Sequence, residues 1–185
     1  MSRSCVCPGC GLILTDLGLP VDERANASGE CRALYWELSA ETLARGDAEF
    51  RHQGAVDAYT AQHAGGPSRP ISVAFALIGL SLTLERGWTG REAQLAHVAL
   101  ARERTVRPVF DRPDAPAAIT IRDVLAEAAA EPRDQIMNEW MAAVWASWAS
   151  AHDEIRRLCD DRLPALTSGG LRSSSSAART GGEPS

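Results

Sequence analysis

Residues 48–63, AEFRHQGAVDAYTAQH, carry a helical alternation of polar and apolar positions. His52, Val56, Tyr59 and His63 fall at i, i+4, i+7 and i+11, and at about 100° per residue all four share one helix face. A face that mixes apolar, aromatic and titratable groups predicts that something polar is held inside. Upstream, Ser28 is placed to cap a first helix with Cys31 in its opening turn. Leu34, Tyr35, Leu38 and Thr42 continue its buried side, and Gly46 ends it. Asp47 is the expected cap of the central helix, which Gly65, Gly66 and Pro67 terminate.

The pattern then becomes almost wholly apolar. Ile71–Arg86 predicts a third helix that forms the hydrophobic centre of a bundle, and Gly87 stops it. Thr89 caps a fourth helix to about Arg104. Three prolines within residues 106–116, VRPVFDRPDAP, then predict an irregular stretch across the bundle. Thr120 caps a short helix over Ile121–Ala130, and Pro132 opens a last, longest helix to about Leu163. In that helix Met137, Trp140, Val144, Trp148, Ala151 and Ile155 recur at helical spacing and supply aromatic bulk. Residues 167–185, TSGGLRSSSSAARTGGEPS, are low-complexity and are expected to be disordered, which divides the chain into a domain at 1–165 and a tail at 166–185.

With 185 residues the chain suffices for one domain with a sizeable core. A net charge of −5 argues against a nucleic-acid partner bound by phosphate neutralisation. All 19 basic residues are arginine, a bias attributed to genomic composition. The longest apolar run, Ile71 to Leu84, is interrupted by Ser72, Gly79, Ser81 and Thr83, so it reads as a buried helix and no membrane association is expected. The opening MSRSCVCPGC lacks the apolar stretch of a secretory signal, which favours the cytoplasm. The five cysteines are then thiols or metal ligands in preference to disulfides.

Cys7-Pro-Gly-Cys10 carries the strongest chemical signal. Pro8 and Gly9 suit the reversal that points two thiolates at one ion, and Leu12, Ile13 and Leu14 continue as a short extended piece. Two thiolates two residues apart reach one tetrahedral Zn2+, which needs two more ligands. Cys31 at a helix N-terminus is one, because the positive end of the helix dipole favours a thiolate. If the first two helices form an antiparallel hairpin about Gly46 and Asp47, the residue opposite Cys31 is near position 62, which brings His63 beside it. His52 sits opposite about position 41. With a rise of about 1.5 Å per residue, it cannot serve the same ion as His63. The expected ligands are therefore Cys7, Cys10, Cys31 and His63, with Cys5 the rival for any one place. A redox pair or two plain thiols is the competing account of the motif. Cys159 is expected to be a small buried hydrophobe.

A second polar set, His52, Asp57, Tyr59 and His152, is the candidate for a cofactor-binding pocket. In it His52 or His152 acts as acid, base or ligand, with Asp57 fixing the tautomer. The plainer account has Asp57 and Tyr59 hydrogen-bonding across the hairpin and His152 partly exposed. His97 is expected to be a surface or satisfied histidine. The three tryptophans of the last helix are either core or the lining of a groove.

CPGCG at Cys7–Gly11, the segment from Cys31 to Tyr35, HQGAVDAYTAQHAG at His52–Gly65, LERG at Leu84–Gly87, TIRDVLA at Thr120–Ala126 and the tryptophan-rich end through His152 together form an ordered set of motifs. In these the chain resembles the bacterial domain-of-unknown-function family numbered 5946, over about positions 5 to 160. The resemblance implies no activity. It does imply that Cys7, Cys10, Cys31, His52, Asp57, Tyr59, Gln62 and His63 are the pattern's polar positions; Cys5 and the serine-rich tail depart from it. The expected architecture is a single all-α domain, a bundle of five or six helices with an N-terminal zinc knuckle clamped onto the first helical hairpin. The expected function is a cytosolic, zinc-stabilised accessory or interaction protein with an unidentified protein or small-molecule partner. The alternative is a small metal-dependent enzyme using a His52/Asp57/His152 pocket.

Overall fold

The computed structural model describes residues 3–21, 24–102 and 108–163. Two short strands, β1 (Ser4–Val6) and β2 (Ile13–Thr15), open the chain as an antiparallel hairpin in which Cys5 faces Leu14. Helices follow as α1 (Gly29–Arg45), α2 (His52–Gln62), α3 (Pro70–Arg86), α4 (Gly90–Arg102), α5 (Ile121–Ala126), α6 (Ala130–Ser147) and α7 (His152–Arg162). The domain is all-α apart from the hairpin, with more helices than the five or six expected. The boundary drawn at 165, the tail at 166–185 and the end of the fourth helix near Arg104 lie outside the described residues.

The extra helix comes from the last, longest one, which the structure divides. A 3-10 turn over Ala149–Ala151 separates α6 from α7. The inward positions continue across it, since Trp148 and Ala151 are buried between Val144 and Ile155, so periodicity alone could not reveal the break. Two boundaries also differ from the sequence expectation. Asp47 does not cap α2, which begins five residues later. Phe50 between them takes φ 56°, a left-handed conformation that ends any helix for a non-glycine residue. Ala130, expected to end the short helix, instead begins α6, and α5 stops at Ala126. The caps at Ser28 and Thr120 are as expected. Ser28 Oγ accepts from Cys31 N at 3.2 Å, and the Asp123 carboxylate accepts from Thr120 N at 2.7 Å and from its hydroxyl at 2.9 Å.

α3 is the apolar centre, burying Leu77, Ile78, Leu80 and Leu82 among others. α2 lies against α3, α6, α1 and α4. Its inner residues are small, Gly54, Ala55, Ala58 and Ala61, which lets the neighbouring backbones approach. Trp140 and Trp148 are fully buried and Trp145 nearly so, so the tryptophans are core. Trp140 Nε1 donates to Gln62 Oε1 at 2.9 Å, and Gln62 Nε2 donates to the Ile119 carbonyl at 2.8 Å, which ties α2 to α6 and to the approach of α5.

Between α2, α3 and α4 lies a buried polar cluster. Gln53 Nε2 donates to Asp57 Oδ1 at 2.9 Å and lies 3.4 Å from His97 Nδ1. Asp57 Oδ2 and His97 Nε2 are buried without a hydrogen-bond partner. Both meet α3 at Gly79, where an added Cβ would stand 2.0 Å from Asp57 Oδ2 and 3.0 Å from His97 Nε2. His97 is therefore half-buried and only partly satisfied, its Nδ1 beside Gln53 and its Nε2 without a partner. It stands one turn beyond Ala93 and one residue past Ala96, on the inward side of α4, and its ring stacks on Phe75.

Burial raises the Asp57 carboxyl well above its usual range, only partly offset by the Gln53 hydrogen bond, so folding favours its protonated form. Burial also lowers the His97 imidazole to about 4, favouring its neutral form. The two groups act on stability with opposite signs. A carboxyl with a raised folded pKa contributes most at low pH and loses that contribution as pH rises through the folded value. A histidine with a depressed folded pKa loses its contribution as pH falls below about 6.5. Asp57→Asn removes the first slope only. The Tm of that variant relative to the parent is expected to climb as pH rises from about 5 to 8 in thermal unfolding. A gap that stays flat over this range would show that Asp57 is ionised in the folded protein.

Candidate metal centre

The Cys7–Cys10 turn is closed by its own backbone. Cys7 N donates to the Leu12 carbonyl at 2.8 Å and Gly11 N to the Cys7 carbonyl at 2.9 Å, with Gly11 in the left-handed region at φ 76°. Both sulfurs are thereby turned toward the bundle, and Cys7 and Cys10 are 1% and 4% exposed. Gly9 is needed for this approach. A Cβ there would lie 2.3 Å from the Asn26 carbonyl oxygen and 2.5 Å from His63 Cδ2.

Cys31 occupies the third position of α1, where its backbone N–H is taken by the Ser28 cap and its sulfur faces the C-terminal end of α2. His63 is the residue immediately after α2. Its Nδ1 sits 2.8 Å from the Tyr59 carbonyl, which orients Nε2 toward Cys31 Sγ, 3.3 Å away. Hydrogen-bonding one imidazole nitrogen to a carbonyl fixes the tautomer that leaves the other free to bind a metal. The Tyr59 ring stacks on His63 at 4.0 Å between centroids and holds its plane.

The donor atoms of Cys7, Cys10, Cys31 and His63 all lie within 4.8 Å of one another, and all four residues are buried. They are close enough to hold a metal ion. A tetrahedral ion with sulfur ligands at about 2.3 Å has sulfur–sulfur edges of about 3.8 Å. Cys10 Sγ and Cys31 Sγ are 3.8 Å apart. Cys5 lies outside the group, its thiol donating to Glu30 Oε2 at 3.2 Å. Glu30 also accepts from the backbone of Leu17 and Leu19, so Cys5 fastens the hairpin to α1.

The four groups perturb one another's titration strongly. Hydrogen bonds from Cys10 and Cys31 pull the Cys7 thiol far down, while the same contacts push Cys31 far up. Without a cation, three crowded sulfurs cannot all ionise. Burial opposes a charge on His63, but the neighbouring Cys10 and Cys7 sulfurs outweigh it and hold the imidazole at about 9.

The second polar set is dispersed. His52 Nδ1 is 2.8 Å from Thr42 Oγ1 on α1, one residue from position 41, where hairpin pairing places its partner. Burial lowers its pKa. Asp57 faces Gln53 and α4, Tyr59 lies against His63 and Tyr35, and His152 stacks on Trp145 at 3.9 Å with Nε2 2.9 Å from the Trp145 carbonyl. The four do not meet in one pocket. Glu85 and Arg86 pair with α7, through Arg156 and Asp160. Sequence reasoning missed Arg112, whose guanidinium donates to the Gly9 carbonyl at 2.6 Å and the Pro8 carbonyl at 3.2 Å, and Arg122, which donates to the Ile13 carbonyl at 2.6 Å. Nothing in local spacing marks either, because their partners are backbone carbonyls about a hundred residues away.

No curated protein and no solved structure gives a significant match to this chain. Residues 5–149 match a family of unknown function, and that span covers all four gathered donors together with α1 to α6. The chain therefore belongs to the family of unknown function DUF5946.

Proposed function

We propose that the chain is a cytosolic helical protein whose structural zinc site, Cys7, Cys10, Cys31 and His63, clamps the N-terminal hairpin onto α1 and α2. It serves as an accessory or interaction protein, acting through a protein or small-molecule partner. The observation that carries this reading is the convergence of four buried donor atoms within 4.8 Å. Thiolates with an imidazole at tetrahedral spacing suit zinc, whereas hard cations prefer oxygen ligands. A zinc ion held by four protein ligands keeps no position for water, and three thiolates weaken it as a Lewis acid, so the site is a scaffold and not a hydrolytic centre. The five cysteines are unpaired thiols, which fits a reducing compartment. Among the described residues no helix is long and apolar enough to cross a membrane.

A structural zinc contributes on the order of 10 kcal/mol, comparable with the whole stability of a typical domain. Metal analysis of the purified protein is expected to find about one zinc per chain, and a strong chelator to unfold it, followed by circular dichroism. Cys31→Ala is expected to abolish metal retention and to precipitate. His52→Ala removes one partly buried hydrogen bond, costs about 1 kcal/mol and leaves the fold and metal content intact. Cys5→Ser is likewise expected to keep its zinc, since the Cys5 sulfur serves Glu30. Normal zinc content in Cys31→Ala would overturn the ligand assignment.

A further inference from the structure

The buried polar cluster of Gln53, Asp57 and His97 contributes no ligand to the metal centre. Asp57 is 3% exposed, yet its Oδ2 makes no hydrogen bond, and neither does the buried Nε2 of His97. Buried polar atoms are almost always paired, so two such atoms side by side call for a common partner. Both face Gly79 of α3, standing 2.0 Å and 3.0 Å from the point where its Cβ would be. The two atoms therefore lie within about 5 Å of each other, beyond a direct hydrogen bond. Glycine inside a buried helix costs stability relative to alanine, and here it is what lets the two polar atoms converge.

Gln53 fixes which protons point between them. Its Nε2 donates to Asp57 Oδ1 at 2.9 Å and lies 3.4 Å from His97 Nδ1, and an amide nitrogen carries two hydrogens and accepts nothing. Oδ1 and Nδ1 are therefore both acceptors, which puts the proton of a neutral imidazole on Nε2. A proton on the Asp57 carboxyl likewise sits on Oδ2. The pair then presents either two donors or one donor and a carboxylate. A water molecule answers both cases, since its oxygen accepts two hydrogen bonds and donates two. The Phe75 carbonyl, one turn earlier on α3, faces the same ring and supplies a third partner, and two to four polar partners are what an internal water requires. Two hydrogen bonds of about 2.8 Å meeting at a tetrahedral angle span about 4.6 Å. A metal ion with bonds of about 2.1 Å spans at most about 4.2 Å and needs further side-chain ligands. Among the described residues Cys7, Cys10, Cys31 and His63 are the one group of three or more such donors.

We propose that Asp57 Oδ2 and His97 Nε2 bind a single internal water molecule, which closes a hydrogen-bonded ring through Gln53 and joins α2, α3 and α4. Such a ring holds an acid and an imidazole inside an otherwise apolar core without charging either. A fully satisfied polar network of this kind also fixes the register of the helices that contribute to it. The site does not depend on the metal reading, because none of its residues is a metal ligand.

The test uses the full chain as purified. A crystal structure is expected to show one water within about 3 Å of both Asp57 Oδ2 and His97 Nε2. Long-range nitrogen–proton NMR correlation is expected to place the His97 proton on Nε2. Oxygen relaxation dispersion of the solvent, which counts long-lived internal waters, is expected to fall by about one water per chain in His97→Phe. Asp57→Asn keeps a polar atom in the place of Oδ2 and is expected to retain that water and the His97 tautomer. Should His97→Phe fail to fold, the crystal structure and the tautomer of the parent decide the question without it. A direct hydrogen bond between Asp57 and His97, a metal ion between them, a proton on His97 Nδ1, or an unchanged water count in folded His97→Phe would each overturn the proposal.

Discussion

Three thiols and an imidazole cannot be packed together out of water at no cost. Each would lose its hydration, and the sulfurs would compete for a single negative charge among them. The fold nevertheless brings them from three separate elements to one point: the hairpin turn, the first turn of α1, and the residue that ends α2. A cation at that point would turn mutual hindrance into attraction. The group joins the hairpin to α1 and α2 at one place.

Several features that look unrelated serve that requirement. Gly9 removes the Cβ that would strike His63 and the Asn26 carbonyl. Tyr59 contributes twice, its carbonyl fixing the imidazole tautomer and its ring fixing the imidazole plane. Arg112 and Arg122 bind hairpin carbonyls that no strand or helix would otherwise satisfy. Small residues along α2 let that helix sit against four neighbours, so its last turn is held firmly where His63 leaves it. The apolar core thus sets the precision of the polar site, as close-packed interiors generally do.

Much of this was written in local sequence. Capping residues and glycines marked most helix ends, and the spacing across the Gly46–Asp47 turn was enough to set position 31 against about 62, beside His63, and His52 against about 41, beside Thr42. Those pairings depend only on helical rise and antiparallel geometry, which a sequence encodes directly. The break at Ala149–Ala151 was not legible, because burial recurs through it without a change of period. Nor was the left-handed conformation of Phe50, which shifts the start of α2 and which no propensity favours in that residue. His97 was misjudged although Ala93, Ala96 and Leu100 share its face, since a titratable residue on an inward stripe is easily taken for a surface one. The grouping of His52, Asp57 and His152 failed for a different reason: the helix face carrying each could be read, but which neighbour that face meets is a tertiary fact.

The order of the four donors along the chain has a consequence for biosynthesis. All four lie within the first 63 residues, and because the ribosome conceals the most recently added stretch, a nascent chain would expose the whole set before α5 to α7 are made. The arginines that fasten the hairpin arrive only at positions 112 and 122. Domains assemble progressively as they emerge, so a metal taken up at that stage would sit in a hairpin whose arginine fasteners had not yet arrived, open to competition from other thiols.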